Sequence, residues 1–160
     1  MIEHRLPDLE ATRALARRLA PLLGPGDVIG LAGPLGAGKT TLARALIVAL
    51  TEAGGDGPLG EVPSPTFTLV QVYETGGAPV WHFDLYRLER PADALELAVE
   101  EAFAEAVSLI EWPDRLGGLM PADWLEIAIE RQTDGARHAR IRGHGARGRA
   151  LEEALERAAA

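Results

Sequence analysis

The sequence predicts an α/β fold: a mixed, mainly parallel central sheet with two antiparallel hairpins and flanking helices. Three observations carry that expectation. The apolar run from Asp27 to Gly33 passes through a glycine-rich turn into an amphipathic segment from Lys39 to Ala53, the order of a strand, a loop and a helix. Two pairs of extended segments are joined by turn sequences, Thr75-Gly76-Gly77-Ala78 and the stretch around Gly135, which are hairpin signals. Val107 to Glu111 has the length and composition of a short buried strand.

In chain order, Asp8 is placed to cap a helix from Leu9 to Leu22, with Leu15, Leu19 and Leu22 at helical spacing and Gly24-Pro25 as the stop. Asp27 to Gly33 is the first expected strand, and Leu42, Leu46 and Ala49 form the apolar stripe of the helix that begins at Lys39. Residues 54–60 read as a flexible glycine-rich loop. Val62-Pro63-Ser64-Pro65-Thr66 reads as a stiffer one, because each proline biases its predecessor towards extended geometry. Phe67 to Glu74 and Pro79 to Tyr86 are expected strands. Pro91 to Ala106 is expected to be helical in one or two pieces, and Pro113 to begin a polar turn or short helix. Trp124 to Arg131 alternates, with Leu125, Ile127 and Ile129 on one face, and its partner strand is expected around Arg137 to Arg142. Ala150 to Ala160 reads as a helical tail that frays. With no internal repeat and no linker, residues 1–160 read as a single domain, a normal size for one core.

Composition narrows the function. A net charge of −8 makes a general nucleic-acid coat a poor expectation, since the molecule repels a phosphate backbone. The charge is uneven, with six arginines between Arg131 and Arg149 against Asp134 alone. That segment is either a solvated hairpin face and tail or a surface that meets an acidic partner, RNA or a nucleotide. No apolar run reaches the roughly 20 residues of a membrane span, and the polar start Met1-Ile2-Glu3-His4-Arg5 is unlike a signal peptide. The chain therefore reads as cytoplasmic and without a membrane association. It contains no cysteine, which excludes disulfides, thiolate metal sites and cysteine nucleophiles.

Gly33-x4-Gly38-Lys39-Thr40 fits the phosphate-binding loop. Glycines let the backbone wrap phosphates with several N–H groups turned inward at a helix N-terminus, whose dipole favours anions. Lys39 supplies a mobile charge to the β and γ phosphates, and the Thr40 hydroxyl suits Mg²⁺. From this chain's own residue frequencies a chance match has a probability of roughly one in a thousand. Lys39 is moreover the sole lysine among sixteen basic residues. Gly33, Gly38, Lys39 and Thr40 are thus the expected nucleotide contacts. Guanine-specific GTPases of the Ras type use Asn-Lys-x-Asp; this chain has no asparagine and its lysine is committed to the loop, so adenine is expected. The transporter signature Leu-Ser-Gly-Gly-Gln is also absent.

Such a loop needs an acid at the end of a neighbouring strand. Asp84 and Glu111 are the candidates. Alternation places Trp81, Phe83 and Leu85 on one face and His82, Asp84 and Tyr86 on the other. Ser64-Pro65-Thr66 is a stiff loop bearing two hydroxyls that could sense a γ phosphate, or simply an extended lead into a strand. Trp112 is a wall of the site or a core residue. Thr12 either reaches the base with its hydroxyl or bonds its own backbone. His82 reads as a strand residue satisfied by its neighbours.

Together, Gly33-Pro-Leu-Gly-Ala-Gly-Lys-Thr-Thr41, Ser64-Pro-Thr-Phe-Thr-Leu-Val70, His82-Phe-Asp-Leu-Tyr-Arg-Leu88 and Ile110-Glu-Trp-Pro113 resemble the TsaE (YjeE) family of small bacterial ATPases, in order and spacing from about Leu9 to Arg142. The resemblance implies a P-loop NTPase fold and a role in forming threonylcarbamoyladenosine in tRNA. It further implies Mg²⁺ and ATP as cofactors, TsaB and TsaD as partners, and contact with tRNA only through their complex. By motif position it makes Thr40 and Glu111 the Mg²⁺ ligands, places Gly36, Ala37, Gly38, Lys39, Thr40 and Thr41 around the phosphates, and makes Asp84 the Walker-B-like acid and Thr66 part of a switch. Pro34 stands where the family often has an acid, a change confined to the loop's outer rim. Lys39, Asp84 and Glu111 are the expected catalytic residues of an ATP hydrolase. Two rival readings are a small-metabolite kinase and a nucleotide-gated binding module.

Overall fold

A computed structural model describes residues 1–53, 65 and 68–158. Seven strands form one sheet: β1 (Ile2–Leu6), β2 (Val28–Ala32), β3 (Val70–Tyr73), β4 (Val80–Asp84), β5 (Val107–Glu111), β6 (Trp124–Arg131) and β7 (Arg137–His144). Their order across the sheet is β1-β7-β6-β2-β5-β4-β3. The four central strands β6, β2, β5 and β4 are mutually parallel, while β7 and β3 run against them on either side. Because β1 is antiparallel to β7, it returns to the direction of the centre, so five strands of seven point the same way. The expected mixed, mainly parallel sheet with two hairpins is what forms.

The helices are α1 (Leu9–Leu19), α2 (Lys39–Ala53), α3 (Val99–Glu105) and α4 (Gly145–Ala158), with 3-10 turns at Ala20–Leu22, Pro91–Leu97 and Pro113–Leu119. Asp8 caps α1 as its position predicts, its Oδ1 accepting from the Ala11 N–H at 2.8 Å. The helix buries Thr12, Leu15, Ala16 and Leu19. Alternation along β2 and β5 divides the core in two: Ile29, Leu31 and Leu109 pack with α1, α2 and α4, whereas Val28 and Ile110 pack with Phe83, Leu116 and α3 on the opposite face.

Two expectations need correction. Ile2–Leu6 reads as a polar start, yet it pairs with β7 from Ile2↔Ile141 to Leu6↔Arg137 and buries Leu6. Glu3, His4 and Arg5 mask the alternation. The C-terminal helix is also longer and more firmly packed than expected: α4 begins five residues earlier, at Gly145, and buries Gly148, Leu151 and Leu155, while residues 159–160 lie outside the described residues. Arg147 and Arg149 therefore lie on a docked helix, outside the hairpin.

That docking depends on Gly148. A Cβ there would stand 2.2 Å from the Trp124 carbonyl oxygen, backbone that cannot swing aside. We expect Gly148→Ala to destabilise the fold by about 1–3 kcal/mol, read as a lowered urea midpoint with an unchanged slope. Glu152 pins the same helix, accepting from the Gly143 N–H at 2.7 Å and pairing with the N-terminal ammonium at 2.9 Å. The Gly143 hydrogen bond, more than the ammonium, holds its carboxyl below the ordinary glutamate range. A depressed folded value stabilises the fold above the unfolded pKa and is lost as pH falls through the folded one. Glu152→Gln should accordingly flatten the decline of Tm in that acidic window and leave its shape unchanged above it.

Candidate functional site

The site forms where β2 ends and α2 begins. β2 is buried from Val28 to Leu31 and delivers the chain into the turn at Gly33, whose φ of +142° and position against the Ile129 carbonyl admit no side chain. A Cβ on Gly33 would lie 2.2 Å from that oxygen. Gly36, Ala37, Gly38, Lys39, Thr40 and Thr41 then line an open cavity of about 260 Å³, closed on its other side by Asp84, Tyr86, Glu111, Trp112 and Arg137. Gly33 contributes from beneath, through its carbonyl.

Lys39 is 5% exposed, and its Nζ donates to the carbonyls of Gly33 at 2.6 Å and Pro34 at 2.9 Å. The ammonium also lies 4.1 Å from the centre of the Trp112 ring, a cation–π contact. Burial lowers its pKa from the usual lysine value, opposed by the nearby carboxylates of Glu111, Asp84 and Asp114. Trp112 is thus a wall of the site, held in left-handed backbone with φ +62° and packed at 4.9 Å against Tyr86.

The two acids arrive together because β4 and β5 are parallel neighbours in a register that sets Asp84 beside Glu111. Both are buried, at 6% and 2% exposure. Glu111 Oε1 accepts from the Thr40 hydroxyl at 2.6 Å, and Oε2 lies 2.8 Å from His82 Nε2. His82 is fully buried, and the expectation that its neighbours satisfy it holds for one ring nitrogen only: Nε2 meets Glu111, while Nδ1 is buried with no hydrogen-bond partner among the described residues. Asp84 Oδ1 accepts from the Tyr86 N–H at 3.1 Å.

Thr12 lines a second cavity of about 220 Å³, bounded by Leu6, Leu42 and Ile129 and by Gly38, Thr41 and Arg137 of the first. Its place is therefore beside the loop, as one of the two readings of this helix face requires. Ser64 and Thr66 lie outside the described residues. Tyr86 and Arg137 join the site without having been singled out. Tyr86 shares the alternating face of His82 and Asp84, a usable signal; Arg137 carries none beyond membership of an arginine-rich stretch.

Hard oxygen donors and a loop lysine are the donor set that a Mg²⁺-bound polyphosphate needs. Mg²⁺ takes one or two protein ligands and completes its shell with phosphates and water, and Thr40 with Glu111 supplies such a pair. Among the described residues no group of three or more His, Cys, Asp or Glu side chains forms a metal cage. A strand entering a glycine loop and a helix, with a lysine in the loop and carboxylates at the ends of adjacent parallel strands, defines a P-loop nucleotide-binding protein.

Comparison with known proteins narrows the class. Residues 6–139 match the family model described as Threonylcarbamoyl adenosine biosynthesis protein TsaE, and the chain belongs to that family. It is 36% identical over 157 residues to the tRNA threonylcarbamoyladenosine biosynthesis protein TsaE of Bacillus subtilis strain 168, spanning 98% of this chain and 94% of that one. The protein of the same name from Streptomyces coelicolor is 38% identical over 142 residues, 84% of this chain and 92% of its relative. A crystal structure of Bacillus subtilis YdiB superposes with a TM-score of 0.80 at 31% identity, covering 99% of this chain and 96% of that one. The family expected from the four motifs is the family found. Among the described residues no helix is long and apolar enough to cross a membrane.

Proposed function

We propose that this chain binds Mg²⁺-ATP in the Gly33–Thr41 loop and hydrolyses it, as the ATPase component of the machinery that forms threonylcarbamoyladenosine in tRNA. Its partners on this reading are TsaB and TsaD, with tRNA met only through them. The relatives' names support the pathway. The observation that carries the chemistry is the Thr40–Glu111 contact of 2.6 Å directly behind the loop lysine.

Catalysis rests on positioning and charge neutralisation. Lys39 gives up the Gly33 and Pro34 carbonyls for phosphate oxygens and is charge-compensated by the acids around it. Thr40 and Glu111 hold Mg²⁺, which when bound neutralises charge on the β and γ phosphates. Glu111 is steered to that task by His82, which fixes its second oxygen. Asp84, one strand over and in register, is the acid that orients the attacking water. The neighbouring cavity, with Thr12 against Leu6, Leu42 and Ile129, has the apolar lining that suits a base.

The test is ATP turnover of the native chain, alone and with TsaB and TsaD, beside Lys39→Ala and Glu111→Ala. Free phosphate released by the native chain and lost in both variants supports the reading; unchanged turnover in both overturns it. Phosphate recovered on an added metabolite would instead mark a kinase. tRNA modification proceeding undiminished with a non-hydrolysable analogue would mark a binding module.

A further inference from the structure

Helices α1 and α2 leave between them an open groove of about 630 Å³, against about 260 Å³ for the phosphate cavity. Both helices start at the loop end of the molecule, because Leu9 and Thr41, which open the groove, also line the cavity holding Thr12. One side is the α1 face of Leu9, Arg13 and Arg17, each four residues from the last, and the other is α2 from Thr41 to Glu52. At 1.5 Å per residue the groove runs roughly 12–16 Å, or two to three helical turns.

Its floor is apolar. Ala45 and Val48 are half-buried, Ala49 is buried, and Leu9 stands 48% exposed at the end nearest the loop. Its walls are cationic, with Arg13 and Arg17 on one side and Arg44 on the other, all three exposed. Glu52 is the single acid of the lining, so the groove carries +2, three arginines less one glutamate, in a chain of net charge −8. The fold does not consume these cations. Among the described residues Arg13 and Arg44 make no ion pair or hydrogen bond, and Arg17 pairs with Glu10, an exposed and therefore weak contact that yields readily to another carboxylate.

We propose that the α1–α2 groove docks an acidic amphipathic helix of a partner protein, its apolar side chains on Ala45, Val48 and Ala49 and its carboxylates on Arg13, Arg17 and Arg44. A helix in a groove is read through anchors at i, i+3 or i+4 and i+7, a span that matches the length available. Arginine suits the walls because its stem lies along apolar surface while its planar fork takes a carboxylate. A nucleic acid fits the same surface poorly. The lining offers no aromatic face on which a base would stack, and the apolar floor has no counterpart in a sugar–phosphate backbone. Thr41 lines the phosphate cavity as well, so the occupant lies against the start of α2. This docking surface is distinct from the loop chemistry and stands whether or not the loop hydrolyses ATP.

Fluorescence anisotropy with labelled probes tests it. The first is a peptide of about four helical turns with Leu at i, i+4, i+7 and i+11 and Glu flanking that stripe; the second replaces every Glu by Lys, and the third is an oligouridylate. The native chain should bind the acidic peptide about tenfold or more tightly than either of the others, with an affinity that falls as salt rises. The double variant Arg13→Glu/Arg44→Glu should reverse the preference in favour of the lysine peptide, and Val48→Asp should weaken the acidic peptide by about tenfold. Thermal unfolding checks that each variant is folded; the arginine pair, being exposed, decides the test should Val48→Asp melt early. Equal binding of the two peptides by the native chain, or a preference for the acidic peptide that survives the double charge reversal, would overturn the proposal. Tighter binding of oligouridylate would overturn it too, and would make the groove an RNA surface.

Discussion

Lys39→Ala should weaken Mg²⁺-ATP binding by about a hundredfold, equivalent to about 2.7 kcal/mol, and lower turnover by a factor on the order of 10³. The same substitution should leave Tm unchanged or raise it. The two effects have one cause. With no phosphate present the ammonium is 5% exposed, bonded to two loop carbonyls, and its pKa is lowered by burial. A charge held there is a cost to the folded chain that phosphate oxygens would recover on binding. Titration calorimetry and thermal unfolding on one preparation check both halves. A variant that lost binding only by unfolding would contradict the assignment of Lys39 to the ligand.

Glu111→Gln should abolish the stimulation of hydrolysis by Mg²⁺ and reduce turnover by a factor of about 10²–10³, while affinity for ATP measured without Mg²⁺ stays near native. Glutamine keeps the length of the side chain and an oxygen for the Thr40 hydroxyl, and its amide can face His82, so the fold is retained. Glu111→Ala differs in kind. It strands fully buried His82 and the Thr40 hydroxyl without their partner, at about 1–3 kcal/mol for each buried group left unsatisfied. A magnesium titration of turnover, run with urea unfolding for both variants, separates the two roles. Equal magnesium dependence in native and Glu111→Gln would remove Glu111 from the metal.

The loop was legible because its chemistry is local. Gly33, Gly38, Lys39 and Thr40 are neighbours in sequence and their spacing alone places an amide-lined turn at a helix start. Asp84 and Glu111 were legible as candidates, since each closes an apolar strand, but only the parallel register of β4 and β5 makes them neighbours. What stayed hidden depends on long-range pairing. Ile2–Leu6 becomes a strand through β7, more than 130 residues away, against its own charged composition. Arg137 is indistinguishable by type from five other arginines until a tight turn and two flanking strands lay it over Gly38. The helical tail docks because Gly143 and Gly148 allow backbone to approach backbone, and isolated glycines read in sequence as helix breakers.

The chain's proposed activity depends on one event, the transfer of the Lys39 ammonium from its own loop to a magnesium-bound triphosphate. A crystal structure with Mg²⁺ and a non-hydrolysable ATP analogue tests it most directly. The account predicts Lys39 Nζ within hydrogen-bond distance of phosphate oxygens, released from the Gly33 and Pro34 carbonyls, with the metal on the Thr40 hydroxyl. An analogue bound elsewhere, or a loop in which Lys39 still holds both carbonyls, would contradict it.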